Sequence, residues 1–174
     1  MKYFVKFFVI TFFLLICTHT FAEQKIAVLD LTYILNQSKA GKGAQDFLKK
    51  TFTDNTKKFL DTEKALKEEE TDLLATKNIL SKEEYGKKMS VLRNKSIDYQ
   101  TQRRSAIDKL TTLRAEARTS LLEKLEPILE VYIKENNISL VVDKKSILGG
   151  DPENDITKVI VEKLNKELPS LNLK

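Results

Sequence analysis

The chain has 174 residues, with 30 Lys and Arg against 25 Asp and Glu for a formal net charge of +5, and it holds one Cys and one His. Both of these, Cys17 and His19, fall in an N-terminal segment that reads as an export signal, so the exported remainder excludes disulfide scaffolds, zinc sites, thiol catalysis and imidazole acid–base chemistry by inventory. The basic surplus is mild and the charges are mixed rather than blocked, which together with export argues against nucleic acid as a partner.

The signal reading rests on Lys2 and Lys6 before an apolar run from Phe7 to Ile16, broken only by Thr11. Thr20-Phe21-Ala22 then supplies small residues three and one positions before a cut after Ala22. That run is shorter than the roughly 20 apolar residues of a membrane-crossing helix. Cys17 follows the bulky Ile16, which argues against lipidation. Removing the 22 residues leaves 152, of which 28 are basic and 25 acidic, enough for one domain of ordinary size.

Lys25-Ile26-Ala27-Val28-Leu29-Asp30 predicts a short buried strand. A helical stretch follows from about Leu31, and Gly41 with Gly43 predicts a bend or junction, because glycine is a poor helix former. From Ala44 to Leu80 there is neither Gly nor Pro, and Phe52, Phe59, Leu66, Leu73 and Leu80 recur every seven residues on one helix face. Four residues after each apolar position stands a polar one (Thr56, Glu63, Glu70, Lys77), so the seam has half the apolar content of a stable coiled coil.

Ser81-Lys82-Glu83-Glu84 has the form of a capping box and starts a second helix at about Lys82. Tyr85, Met89, Leu92, Ser96, Tyr99, Arg103, Ala106, Leu110, Leu113 and Ala117 follow in alternating steps of three and four. So short a connection predicts antiparallel packing. Arms of about 55 and about 75 Å would project well beyond a globule of this mass, about 30 Å across. Pro127 is expected to kink or restart the second helix where the arm meets its base. The second arm is the more basic: ten basic and five acidic residues lie between Lys82 and Arg118, against eight of each between Lys42 and Asn78. A basic, partly apolar, flexible surface suits acidic unfolded polypeptide or anionic lipid headgroups.

Ile138-Ser139-Leu140-Val141-Val142-Asp143 predicts a strand, and Ser146-Ile147-Leu148 is expected to continue the sheet. Gly149 to Pro152 reads as a loop. Asp155 is expected to cap a last helix with Ile156, Val159, Ile160 and Leu164 inward. Strands at both ends of the chain imply that the termini pair into one small base. The fold class is thus α+β: a long antiparallel helical hairpin projecting from a small β-containing body. The expected division is a signal over 1–22, a body from 23–41 and 127–174, and an arm over 42–126 with its turn near 78–82. Exposed sheet edges and a small core further predict oligomerisation.

The segment from Ile138 to Thr157, with its strand, Gly149-Gly150-Asp151-Pro152 loop and Asp155-Ile156-Thr157 ending, resembles the C-terminal signature of the OmpH/Skp family. Lys25 to Asp30, Ser38-Lys39-Ala40-Gly41-Lys42 and the charged middle look like the rest of it, so the resemblance covers essentially the whole exported chain. It implies a periplasmic, ATP-independent chaperone, a homotrimer that holds unfolded outer-membrane β-barrel proteins in a cavity between its arms, with no cofactor. By that analogy Ile26, Val28, Leu140 and Val142 join the trimer body. Phe47, Phe59, Tyr85, Met89 and Tyr99, with the basic Lys87, Lys88, Arg103 and Arg104, are the diffuse candidates for cargo contact on the arm. A structural or tethering coiled-coil protein of the cell envelope is the alternative. An enzyme would have to use Asp30, Asp143 and Asp155, each with a simpler place at a strand end or helix cap.

Overall fold

The computed structural model describes residues 24–173; the expected signal with its cut after Ala22, and Cys17 and His19 within it, lie outside the described residues. In chain order the elements are β1 (Lys25–Leu29), α1 (Leu31–Gln37), α2 (Lys39–Ala75), α3 (Lys82–Glu135), β2 (Ile138–Asp143), two single 3-10 turns (Lys144–Ser146 and Pro152–Asn154) and α4 (Thr157–Glu167). The 37 residues of α2 and 54 of α3 correspond to rods of about 55 and about 80 Å. They pack antiparallel, since Glu69 meets Lys95, Glu63 meets Tyr99, and the root residues Ala44 and Leu48 share a cleft with Ala117 and Leu121.

The strands pair in parallel, Ile26 opposite Leu140 and Val28 opposite Val142, so the whole hairpin is the crossover between them. Asn137, at φ 52°, makes the turn from α3 into β2 in a left-handed conformation that asparagine tolerates better than most residues. On its other edge β1 receives the Ile156 N–H on the Val28 carbonyl at 3.0 Å. Beneath the sheet lies the core: Ala27 and Leu29 from β1, Ile34 from α1, Ala40 from α2, Leu121, Leu125 and Ile128 from α3, and Ile160 and Leu164 from α4.

Several local expectations are corrected. The break after α1 falls at Ser38, not at the glycines, and α2 runs through both Gly41 and Gly43. Ser38 is fully buried in an extended conformation (ψ 155°), and its hydroxyl accepts the Gly41 N–H at 3.1 Å, starting a new helix there. Gly41 serves close packing: a β-carbon on it would lie 2.0 Å from the Leu35 carbonyl oxygen. Pro127 does not restart α3, which stays helical to Glu135. It sits on the exposed side between buried Leu125 and Ile128, and the carbonyl it leaves unbonded belongs to Glu123, itself exposed and open to water.

Ser146-Ile147-Leu148 forms no strand; the chain makes a 3-10 turn at Lys144–Ser146 and leaves Leu148 in solvent. Helix α2 ends at Ala75, five residues before Leu80, where the Thr76 hydroxyl bonds the Asp72 and Leu73 carbonyls. Asp155 stands one position before the cap of α4, and Val159 faces outward while Thr157 is buried in its place. Asp155 still bonds the Thr157 N–H at 3.0 Å.

The capping box forms in full: Ser81 Oγ accepts the Glu84 N–H, and Glu84 Oε2 accepts the Ser81 N–H. Along α3 the buried residues are Leu92, Tyr99, Leu113 and Ala117 in the arm, then Leu121, Leu125 and Ile128. On a helix of 3.6 residues per turn, steps of seven nearly hold direction while each step of four advances by about 40°. The buried face therefore swings by about 120° between Leu113 and Leu125, turning from α2 alone toward the body.

Candidate functional site

The arm is held by a thin seam. At mid-length the Phe59 and Tyr99 rings meet edge to face at 6.0 Å, and Tyr99 OH donates to Glu63 Oε2 at 3.3 Å. Glu63 also pairs with Lys67 at 2.8 Å, and the Lys67 hydrogen bond and charge hold its carboxyl below the usual range, with Tyr99 and Arg103 adding to the effect. Nearer the tip Lys95 pairs with Glu69 at 2.7 Å. The two ion pairs are solvent-exposed and contribute little to stability.

Phe52 does not join the seam; it is 61% exposed. The reason lies in the helix period. The covered residues of α2 run Ala40, Ala44, Leu48, Thr51, Asn55, Phe59, steps that turn the covered face one way along the helix, whereas a strict sevenfold row drifts by about 20° per repeat the other way. Three repeats from Leu73, Phe52 has rotated out of contact. It opens instead onto a cleft of about 690 Å³ at the arm's root, shared with Leu48, Ile107, Leu110, Arg114 and Arg118.

The arm candidates from the sequence divide by position. Phe59 and Tyr85 are half-buried and Tyr99 buried, whereas Phe47 and Met89 are marginally exposed. Lys87, Lys88, Arg103 and Arg104 are all exposed, Lys88 and Arg103 close to the line that faces α2 and Lys87 and Arg104 farther round to either side of it. In the body, Ile26, Val28, Leu140 and Val142 lie on one face of the two-stranded sheet as adjacent cross-strand pairs. Ile26 and Leu140 are 46% and 54% exposed, while Val28 is buried and Val142 half-buried. A second apolar groove, lined by Leu31, Leu122, Leu129, Ile133 and Val141, runs between α3 and the sheet.

A family model described as outer membrane protein (OmpH-like) matches residues 25–164. The chain belongs to the OmpH-like family. A Skp-like protein of Pseudomonas aeruginosa strain PAO1 is 28% identical over 170 residues, covering 95% of this chain and 99% of that one. A crystal structure from Caulobacter crescentus CB15, of an OmpH-like candidate outer membrane chaperone, superposes with a TM-score of 0.79 at 18% identity, covering 89% of this chain and 92% of that one. The hairpin on a small sheet-bearing body is therefore a fold that this OmpH-like chain shares with a solved structure.

Within this OmpH-like body the three carboxylates are engaged in structure. Asp30 caps α1 by accepting the Tyr33 N–H at 2.8 Å, and Asp143 accepts the Lys145 N–H at 3.1 Å. Burial of Asp155 works against its ionisation, but hydrogen bonds from Lys144 and from Thr157 outweigh it, and its pKa falls from 3.8 to about 2. The Thr157 hydroxyl accepts the Asp30 N–H at 2.8 Å, so this chain of bonds ties the end of β1 to the start of α4. The sequence reading did not single out Leu60, Leu74, Ile97 and Ile107, exposed apolar residues of the arm. Each lies outside the seam rows, and only the packed hairpin shows that nothing covers it.

Proposed function

We propose that the protein is an ATP-independent periplasmic holdase, exported by cleavage after Ala22, that keeps unfolded outer-membrane β-barrel proteins soluble between flexible arms. The observation that carries this reading is the sparse seam. Of the long α3, only Leu92, Tyr99, Leu113 and Ala117 are buried along the arm, and large apolar residues stay exposed beside them. A limb zipped so lightly bends at low cost, and its weak scattered contacts gain strength by acting together on one guest. The likeness to a candidate outer membrane chaperone and to a Skp-like protein supports the same reading.

The working unit is a homotrimer joined through the bodies. The exposed Ile26 and Leu140 pair and the apolar groove beside Val141 are surfaces that self-association would cover. The holdase reading assigns no catalytic role to Asp30, Asp143 or Asp155, whose carboxylates bond backbone N–H groups and a lysine. Anionic lipid headgroups are a secondary partner of the basic arm. The test is dilution of a urea-unfolded outer-membrane barrel into buffer with the purified protein, followed by light scattering. The reading requires suppressed aggregation; scattering identical to the chaperone-free control overturns it.

A further inference from the structure

All five arginines of the chain, Arg93, Arg103, Arg104, Arg114 and Arg118, lie on α3, and all are exposed. Their angular placement is not random. Counting about 100° per residue from Tyr99, which points at α2, the five fall between about 40° and about 140° to one side. Lys87, Lys88, Lys95 and Lys109 fall to the other side, between about −20° and about −120°, while Lys82 at the start of the helix falls at about 100° on the arginine side. Asp98 and Glu116 lie on the lysine side and Asp108 on the back of the helix. The exposed Ile107 stands among the arginines, and the exposed Ile97, at about 160°, stands at their edge.

Helix α2 completes the same face. In an antiparallel pair the residue following each seam position turns toward the same side on both helices. On α2 these are Leu60 after Phe59 and Leu74 after Leu73, 61% and 55% exposed. The root cleft opens on this side, where Phe52 meets Ile107, Arg114 and Arg118 with Lys49 beside them. A smaller cleft on the opposite side is lined by Phe59, Ala65, Leu66 and Tyr99 together with Glu69, Lys95 and Asp98. Lys82 apart, the two cations take opposite sides on α3, and the arginine side is completed on α2 by Leu60 and Leu74 together with the exposed Lys49, Lys64 and Lys67.

The chemistry of the two cations differs. Every ion pair between described side chains uses lysine, whereas the arginines have no carboxylate of the described residues within 4.0 Å. A guanidinium is weakly hydrated, grips carboxylates through two parallel bonds and stacks on aromatic rings, while an ammonium stays strongly hydrated. Resting on the holdase reading above, we infer that the arginine face is the guest-binding face of the arm, and that it selects unfolded segments in which carboxylates alternate with apolar or aromatic side chains. The lysine face stays in solvent. Charge complementarity draws the guest in, and Phe52, Leu60, Leu74, Ile97 and Ile107 supply apolar contact once it arrives.

The test compares two charge-matched triples in the full exported chain: R104Q/R114Q/R118Q, and K58Q/K95Q/K109Q on the opposite side of the arm. Glutamine keeps helix propensity, and circular dichroism checks that both fold. Binding is measured to a labelled, urea-unfolded barrel, to an unstructured peptide alternating Glu with Phe and its Gln counterpart, and to phosphatidylglycerol vesicles. The arginine triple is expected to weaken barrel binding about tenfold and the lysine triple less than about twofold, with the Glu peptide preferred by the wild type. Equal loss in the two triples, no preference for the Glu peptide, or an arginine effect confined to vesicles overturns the assignment. A wild-type protein that holds no barrel at all removes the holdase reading itself, which separates the two failures.

Discussion

Gly41 and Gly43 stand two residues apart in one helix and respond oppositely to the same substitution. At Gly43 a β-carbon meets nothing within 4 Å, so G43A gains helix propensity of about 1 kcal/mol at no steric cost. At Gly41 the same carbon would lie 2.0 Å from the Leu35 carbonyl oxygen and 2.9 Å from its carbon, both backbone atoms. Relief requires α1 to move away from the first turn of α2, disturbing the Ser38 cap and the burial of Ile34 and Ala40. Such overpacking costs up to about 3 kcal/mol, leaving G41A destabilised by roughly 2 kcal/mol after the propensity gain. In a chain of this size that is a fall of about 4 to 8 °C in Tm, against a rise of about 2 to 4 °C for G43A. Thermal unfolding followed by circular dichroism, at equal protein concentration, measures both. A G41A protein as stable as wild type would refute the close approach of α1 to α2.

Three further outcomes follow from the same contacts. T157V removes the acceptor of the Asp30 N–H and is expected to cost about 1 to 2 kcal/mol in urea unfolding; an unchanged midpoint counts against that tie. Asp155 has a folded pKa below its ordinary 3.8, at about 2. Its contribution is therefore complete above pH 3.8 and disappears as pH falls through about 2, so D155N should flatten the stability profile across that window; parallel profiles would contradict the assignment. S81A removes one half of the capping box at the arm tip and is expected to destabilise the start of α3 by about 1 kcal/mol. Hydrogen exchange should accelerate at Lys82 to Tyr85 and stay unchanged at Ile160.

The features legible in the sequence were those governed by local chemistry or by long periodicity. The Ser81 and Glu84 box, the α3 seam from Leu92 to Ala117, and the two strands each announce themselves within a short window. The glycines misled because propensity reports what a helix disfavours, whereas Gly41 answers to a backbone six residues away in sequence but in contact in space. Pro127 misled because its cost depends on whether the orphaned carbonyl faces water, which the sequence does not state. The sevenfold row on α2 placed Phe52 in the seam, but the slow drift of a straight helix carries it into the root cleft. The two faces of the arm needed both seams to be located before the angular positions of Arg93 to Arg118 acquired meaning.

Native mass spectrometry of the exported chain mixed with one unfolded outer-membrane barrel tests the holdase account most directly. The expected species contains several copies of this chain and a single guest, with three copies per guest as the dominant stoichiometry. A spectrum showing only guest-free chain, while the barrel is lost to aggregates, would contradict it.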